Sequence, residues 1–176
     1  MKYYFIEGLP VSDSSESQSL PLDATDLRIL DQLQRDASLS NHALAAKVHV
    51  SPATCLRRVR RLREEGVIER EVAILSPAHL AAGLGAIVEV TLDQQGSEHQ
   101  REFEQNASAE AAVQQCYQVA SGPDFVLILQ LADMEAYHEL AHRLFSGSSN
   151  VRNVRTFFTV RRGKFSAALP LPASPL

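Results

Sequence analysis

The chain has 176 residues, carries a formal net charge of −4 and is 45 % hydrophobic, which excludes collagen-like, purely coiled-coil and wholly disordered proteins. Its length suits one large domain or two small ones. The two cysteines, Cys55 and Cys116, are too few for a disulfide scaffold and lack the CxxC spacing of a metal site, so a reducing compartment is favoured.

The amino-terminal region predicts neither a membrane span nor a signal peptide. Glu7, Gly8 and Pro10 interrupt its apolar residues before they reach the length of a signal-peptide core. No apolar run elsewhere approaches the roughly 20 residues of a spanning helix. We therefore expect a cytoplasmic protein without a membrane partner, in which residues 1–21 form a disordered, Ser-rich leader.

Three helix starts follow this leader in quick succession. Asp23 is a good N-cap for the first helix, and Ser40 is a good N-cap for a short second helix. Ser51 caps the third, with Pro52 at the first helical position, where its missing N–H costs nothing. That helix is predicted to end at Gly66, a residue type that readily adopts the left-handed conformation beyond a helix end.

The rest of the chain contains a second structural pattern. After a helical domain over residues 22–66 comes a linker over residues 67–84, whose first part, residues 67–75, is rich in β-branched residues and predicts a short strand. Residues 85–165 then follow the order β-α-β-β-α-β of a ferredoxin-like domain. Three prolines near the carboxyl end predict an irregular tail over residues 166–176.

The third helix carries the strongest functional pattern. Two helices joined by a tight turn at residues 48–50 are typical of a helix-turn-helix, whose second helix enters the DNA major groove. One face of this helix is apolar and predicted to be buried: Cys55, Val59 and Leu62. The residues predicted to contact DNA are Ser51, Pro52, Thr54, Arg57, Arg58 and Arg61. His49 lies in the turn, and histidine tolerates a positive φ better than most residues. We therefore interpret His49 first as a turn residue and only second as a DNA contact.

The stretch SPATCLRRVRRLREEGVI, which begins at Ser51, resembles the helix-turn-helix of the Lrp/AsnC family of transcriptional regulators. The resemblance extends from residue 22 to about residue 171 and includes the linker-like stretch AILSPAHLAAGLGA. It implies an α+β protein: an amino-terminal helix-turn-helix (winged-helix-like) domain and a carboxy-terminal ferredoxin-like βαββαβ domain for effector binding and oligomerisation. The implied partners are double-stranded DNA, an amino-acid effector, and further copies of the chain in a homodimer that assembles into a tetramer or octamer on the nucleoid.

The turn Ser121–Phe125, sequence SGPDF, is an ordinary hairpin turn on its residues alone. The resemblance implies that it lines an effector pocket between subunits. A glycine lets a ligand approach the backbone, and a carboxylate can pair with an α-ammonium group. The predicted effector contacts are Gly122 and Asp124, with Thr156 on the last strand as a second polar contact.

Two alternatives stay open on the residues. An arginine-rich helix also suits a nucleoid-organising protein that binds DNA with low sequence specificity. Residues 138–142 spell the H-E-x-x-H pattern of zinc hydrolases, with His138, Glu139 and His142 as the functional positions. No third ligand follows at a suitable spacing, so we expect no metal site, no cofactor and no enzymatic activity.

Overall fold

The computed structural model describes residues 21–80, 83–147 and 150–172. These residues form two compact units: residues 21–73 with 166–172, and the remainder between 74 and 165. The predicted leader lies outside the described residues, apart from its last residue. Within the described residues, no helix combines the length and the apolar character that crossing a membrane requires.

The first unit is built from three helices that begin at the predicted caps. They are α1 (Ala24–Arg35), α2 (Asn41–Val48) and α3 (Pro52–Glu64). Side-chain oxygens of Asp23, Ser40 and Ser51 accept hydrogen bonds from backbone N–H groups of the three first turns, as predicted. His49 ends α2 with φ of 59°, and Gly66 follows α3 with φ of 72°, which confirms both predicted helix ends.

The core of the first unit lies between these helices. Its fully buried side chains include Ile29 of α1, Val48 of α2, and Cys55 and Leu62 of α3. Burial raises the pKa of the Cys55 thiol, as expected of a packed interior cysteine rather than a nucleophile. The predicted inward face of α3 is thereby confirmed.

The strand predicted within residues 67–75 is absent. This segment is irregular and leaves Val72, Ile74 and Leu75 largely exposed. A strand needs a neighbouring strand for its backbone hydrogen bonds, and no described segment of the same chain lies alongside. The prediction of a short strand in this segment is therefore wrong, because β-branched residues do not form a strand without a neighbouring strand to pair with.

The second unit has the predicted order β-α-β-β-α-β. Its elements are β1 (Leu84–Leu92), α4 (Ser97–Ala109), β2 (Val113–Gln118), β3 (Phe125–Leu131), α5 (Met134–Ala141) and β4 (Val151–Phe158). A π-helical turn, His142–Ser146, continues α5. All neighbouring strands are antiparallel in the order β2-β3-β1-β4, which confirms the ferredoxin-like domain. The last strand, β4, ends at Phe158.

The two faces of this sheet differ in what covers them. On one face, alternate residues of β1 and β3 are buried in a core with Phe103 of α4 and Leu140 of α5. On the other face, Ile87 of β1 is the register partner of Ile128 in β3 and of Phe157 in β4. Ile87 and Phe157 are exposed, so this outer face carries an apolar row that no described element covers.

The carboxy-terminal tail packs on the first unit. The side-chain amide of Gln34 in α1 donates to the Leu169 carbonyl (3.2 Å) and accepts from the Leu169 N–H (2.6 Å). Leu171 packs against the three-helix core. Residues 166–172 form no helix or strand, in agreement with the predicted irregular tail, but they are a fixed part of the helical unit.

Candidate DNA-binding and effector sites

The amino-terminal half of α3 presents an exposed polar surface. The Ser51 hydroxyl accepts from the Thr54 N–H (3.2 Å) and donates to the Thr54 hydroxyl (2.8 Å). Pro52 is exposed beside them, and its carbonyl accepts a hydrogen bond from the Asn41 side-chain amide of α2 (2.9 Å). This last contact holds the start of α3 against α2, and nothing in the local sequence pattern predicts it.

Among the three predicted arginine contacts, Arg57 is the one whose guanidinium has no partner among the described residues. Its side chain is exposed and forms no hydrogen bond or ion pair with any described residue. A free guanidinium has five N–H donors, which match the O6 and N7 acceptors of guanine or two phosphate oxygens. Arg57 can therefore bind either group without first breaking an internal contact.

Arg58 and Arg61, which were also predicted to contact DNA, form ion pairs within the helical unit, and their contact with DNA stays a prediction. Arg58 Nη1 lies 2.9 Å from Asp26 Oδ1 and 2.6 Å from Asp23 Oδ2, and Arg61 Nη2 lies 2.6 Å from Asp26 Oδ2. Residues three apart share one side of a helix, and this side of α3 faces the start of α1. Both guanidinium groups are therefore held within the domain.

The buried carboxylate of Asp26 explains why Arg58 and Arg61 are directed towards α1. Asp26 is fully buried, and a buried carboxylate is strongly unfavourable unless charges and hydrogen bonds compensate it. Its oxygens accept from Arg58, Arg61 and the Asp23 N–H, the last as part of a capping box. We call Asp23, Asp26, Arg58 and Arg61 the α1–α3 ion cluster; it joins α3 to the first turn of α1.

The electrostatics of this cluster follow from its contacts. Burial alone opposes ionisation of Asp23, but hydrogen bonds from the Asp26 N–H, Arg58 and the Thr25 N–H outweigh it and lower the pKa of Asp23. Hydrogen bonds to Asp26 and then to Asp23 raise the pKa of Arg58. Both shifts favour the charged forms of Asp23 and Arg58 at neutral pH.

The remaining arginines of α3 form exposed pairs. Arg60 Nε lies 2.7 Å from Glu64, one turn along the same helix, and Arg63 pairs with Glu71. Such exposed pairs contribute little to stability and exchange readily for other partners. Leu56, which the charge pattern of the sequence does not single out, is 58 % exposed in the same half of the helix as Arg57.

The predicted effector turn is anchored by its aspartate. The Asp124 side chain is 8 % exposed, and its Oδ2 accepts the Leu92 N–H at the end of β1 (2.7 Å). The backbone N–H of Asp124 donates to the Val90 carbonyl (2.9 Å). Asp124 thus ties the β2–β3 turn to β1, a role that the turn sequence alone does not reveal.

The two other predicted effector residues have different surroundings. Gly122 is exposed with φ of 92°, and no atom lies within 4 Å of a Cβ placed there, so the turn requires glycine for its backbone conformation. Thr156 pairs in register with Val88, a core position, and its hydroxyl lies 2.6 Å from the Tyr137 hydroxyl of α5. Asp124 and Thr156 share no partner among the described residues, and the role of Thr156 as a second effector contact stays a prediction.

The H-E-x-x-H residues lie on the exposed side of α5 and the turn after it. His138 and Glu139 are in α5, whereas His142 begins the π-helical turn. In the part of the chain that the structure describes, no three or more His, Cys, Asp or Glu side chains are grouped as metal ligands.

Comparison with known proteins agrees with this geometry. Residues 22–69 match the winged helix-turn-helix DNA-binding model, and residues 85–169 match the Lrp/AsnC ligand binding domain. An uncharacterized HTH-type transcriptional regulator of Haemophilus influenzae is 36 % identical over 85 % of this chain and 89 % of its own length. The leucine-responsive regulatory protein of Escherichia coli is 33 % identical over 89 % of this chain and 96 % of its own. A solved complex of a transcriptional regulator from Neisseria meningitidis with L-methionine is 28 % identical, with a TM-score of 0.79 over 85 % of this chain and 96 % of that one.

The α1–α3 ion cluster generates a stability prediction. Asp26→Ala leaves two arginine side chains facing a buried site without its carboxylate. We expect a loss of about 3 kcal/mol in unfolding free energy, at the lower end for a broken buried pair because Arg61 stays 39 % exposed. Urea unfolding followed by circular dichroism measures this loss.

Asp31→Ala is the matched control for that measurement, because Asp31 forms an exposed pair with Arg35 in the same helix. We expect this control to lose only about 0.5 kcal/mol. Equal losses in the two variants would show that the cluster contributes no more than a surface pair.

Proposed function

Because the chain belongs to the Lrp/AsnC family of transcriptional regulators, we propose that it binds operator DNA through α3 and that an amino acid bound by its second unit modulates this binding. The observation that carries the DNA-binding part is the exposed, unpartnered guanidinium of Arg57 on a capped helix. Ser51, Pro52 and Thr54 lie beside it at the helix start, where a recognition helix meets base edges. The action is regulatory, not enzymatic, and takes place in the cytoplasm on the nucleoid.

The free Arg57 side chain predicts a sequence-dependent loss on mutation. If the guanidinium contacts a base edge, Arg57→Ala should weaken binding to the preferred operator duplex, selected from a random DNA pool, by about 1–3 kcal/mol. The loss on random DNA should be smaller. Mobility-shift titrations on both duplexes at one salt concentration measure the difference. The matched control is Arg35→Ala, which removes an exposed arginine of α1 and should leave both affinities unchanged.

Equal losses on operator and random DNA would instead make Arg57 a phosphate contact and favour the nucleoid-organising alternative. Unchanged binding to both duplexes would exclude the amino-terminal half of α3 from the interface.

A homodimer is proposed to form through the outer face of the sheet. Ile87, Ile128 and Phe157 form an apolar row across three strands of this face. Next to them, Arg155 stacks on the Phe157 ring at 4.9 Å and lies 3.9 Å from Glu89. An apolar centre with a charged rim suits a symmetric interface between two copies. The exposed β-branched residues of segment 67–75 supply a second surface that a partner strand can cover, and further contacts build the tetramer or octamer.

The outer sheet face generates a prediction on assembly. Phe157→Asp places a charge in the centre of the proposed interface and should shift the protein to a smaller species in sedimentation velocity. The control is Val160→Asp, because Val160 is fully exposed just beyond the end of β4. An unchanged sedimentation coefficient in Phe157→Asp would remove this face from the interface.

The effector is proposed to be an amino acid held beside Gly122 and Asp124. One carboxylate oxygen of Asp124 binds the Leu92 N–H, and the other, Oδ1, has no hydrogen-bond partner among the described residues. A carboxylate fixed through one oxygen presents the second in a defined direction, which suits an α-ammonium group. The related Neisseria meningitidis regulator was crystallised with L-methionine, which supports an amino acid as the ligand class.

Removing the charge of Asp124 should weaken effector binding. Asp124→Asn keeps a carbonyl oxygen for the Leu92 N–H, so the turn should survive while the charge-assisted contact is lost. We expect affinity to fall about tenfold to a hundredfold in calorimetric titrations of the twenty amino acids. Unaltered affinity for the amino acid that binds would leave Asp124 as a turn residue only, and sedimentation analysis verifies that assembly is intact.

A further inference from the structure

Leu56 is unusual among the apolar residues of α3. The other large apolar side chains of this helix, Val59 and Leu62, are buried, whereas Leu56 is 58 % exposed. It lies directly before Arg57 in the amino-terminal half of the helix, the half that meets base edges in a helix-turn-helix. If α3 binds in the major groove, this side chain is taken out of water there.

The α1–α3 ion cluster engages two of the arginines near Leu56, so fewer side chains of α3 remain there to contact bases. Arg58 and Arg61 are directed to Asp26, so they do not cover this part of the helix. Ala53, one turn earlier, is exposed and too short to shield Leu56. Next to Leu56 in this half of the helix lies the free guanidinium of Arg57, while Arg60, one turn further on, pairs with Glu64.

Only one base presents an apolar group in the major groove. Thymine has its C5-methyl group there, whereas the edges of guanine, adenine and cytosine present hydrogen-bond donors and acceptors. Leu56 packed on a donor or acceptor would leave that group without water or a partner, which is unfavourable. Contact with a methyl group avoids this cost and gains apolar burial.

We propose that Leu56 recognises the C5-methyl group of a thymine in each operator half-site, close to the base pair that Arg57 contacts. This proposal rests on the proposed function of α3 as the recognition helix. Since 5-methylcytosine has its methyl group at the same ring position, the contact would also distinguish methylated from unmethylated cytosine at that position. Leu56 is then a specificity-determining residue, whereas Arg57 supplies charge and hydrogen bonds.

The test removes single thymine methyl groups from the DNA. The full-length protein first selects its preferred duplex from a random pool, and each thymine of that duplex is then replaced in turn by deoxyuridine, which lacks only the methyl. We expect one replacement per half-site to weaken wild-type binding about fourfold, the factor that corresponds to burying one methyl-sized group. Placing 5-methylcytosine at that position should bind more tightly than cytosine by a similar factor.

Protein variants assign the effect to Leu56. Leu56→Ala should bind the thymine and deoxyuridine duplexes equally, because the partner of the methyl is gone. Arg57→Ala, the matched neighbour, should bind both more weakly but keep the difference between them. Circular dichroism confirms that both variants fold, as expected for exposed positions.

Three outcomes would overturn the proposal. Wild-type protein that is insensitive to deoxyuridine at every thymine shows that no methyl is recognised. A difference that persists in Leu56→Ala assigns the methyl contact to another residue. If the wild-type protein selects no duplex and binds random DNA equally, the proposed function fails with it, and the first step of the experiment reveals this separately.

Discussion

The buried carboxylate of Asp26 holds α3, the helix proposed to bind DNA, against α1. Helical spacing gives α3 one apolar face and a broad arginine-rich face, but it does not fix which arginines meet solvent. A fully buried charge in α1 must be compensated, and the nearest donors are Arg58 and Arg61. The cluster therefore fixes the rotation of α3 against α1, and it divides the arginines into those that hold the domain and those left for a partner.

The second unit uses a carboxylate in a related way. Asp124 and Asp26 are the two buried polar residues among the described part of the chain, and each joins a functional segment to its scaffold. Asp26 binds side chains of the recognition helix, whereas Asp124 binds the backbone of β1 from the predicted effector turn. In both cases a residue that resembles a surface group in the sequence is an anchor in the structure, because its partner lies more than 30 positions away.

This distance in sequence explains what could be predicted and what could not. Caps at Asp23, Ser40 and Ser51 are local features, and strand alternation is a local period, so the elements and the ferredoxin-like order followed from the sequence and its resemblance to the family. The direction of Arg58 depends on what α1 presents, and the missing strand at residues 67–75 depends on a partner strand. Neither is encoded in the segment itself. The exposure of Leu56 is not encoded in its own segment either, because it depends on how the three helices pack.

The docked tail has a consequence for how the protein is made. Residues 166–172 complete a unit whose helices end about a hundred residues earlier, and Leu171 packs against their core. At a translation rate of roughly 5–20 residues per second, residues 166–172 are therefore synthesised on the order of 5–20 s after the three helices. Through that interval the surface of α1 that receives Leu169 and Leu171 is open on the nascent chain. Completion of the helical unit therefore requires that the whole ferredoxin-like domain, which lies between its two segments, has already been synthesised.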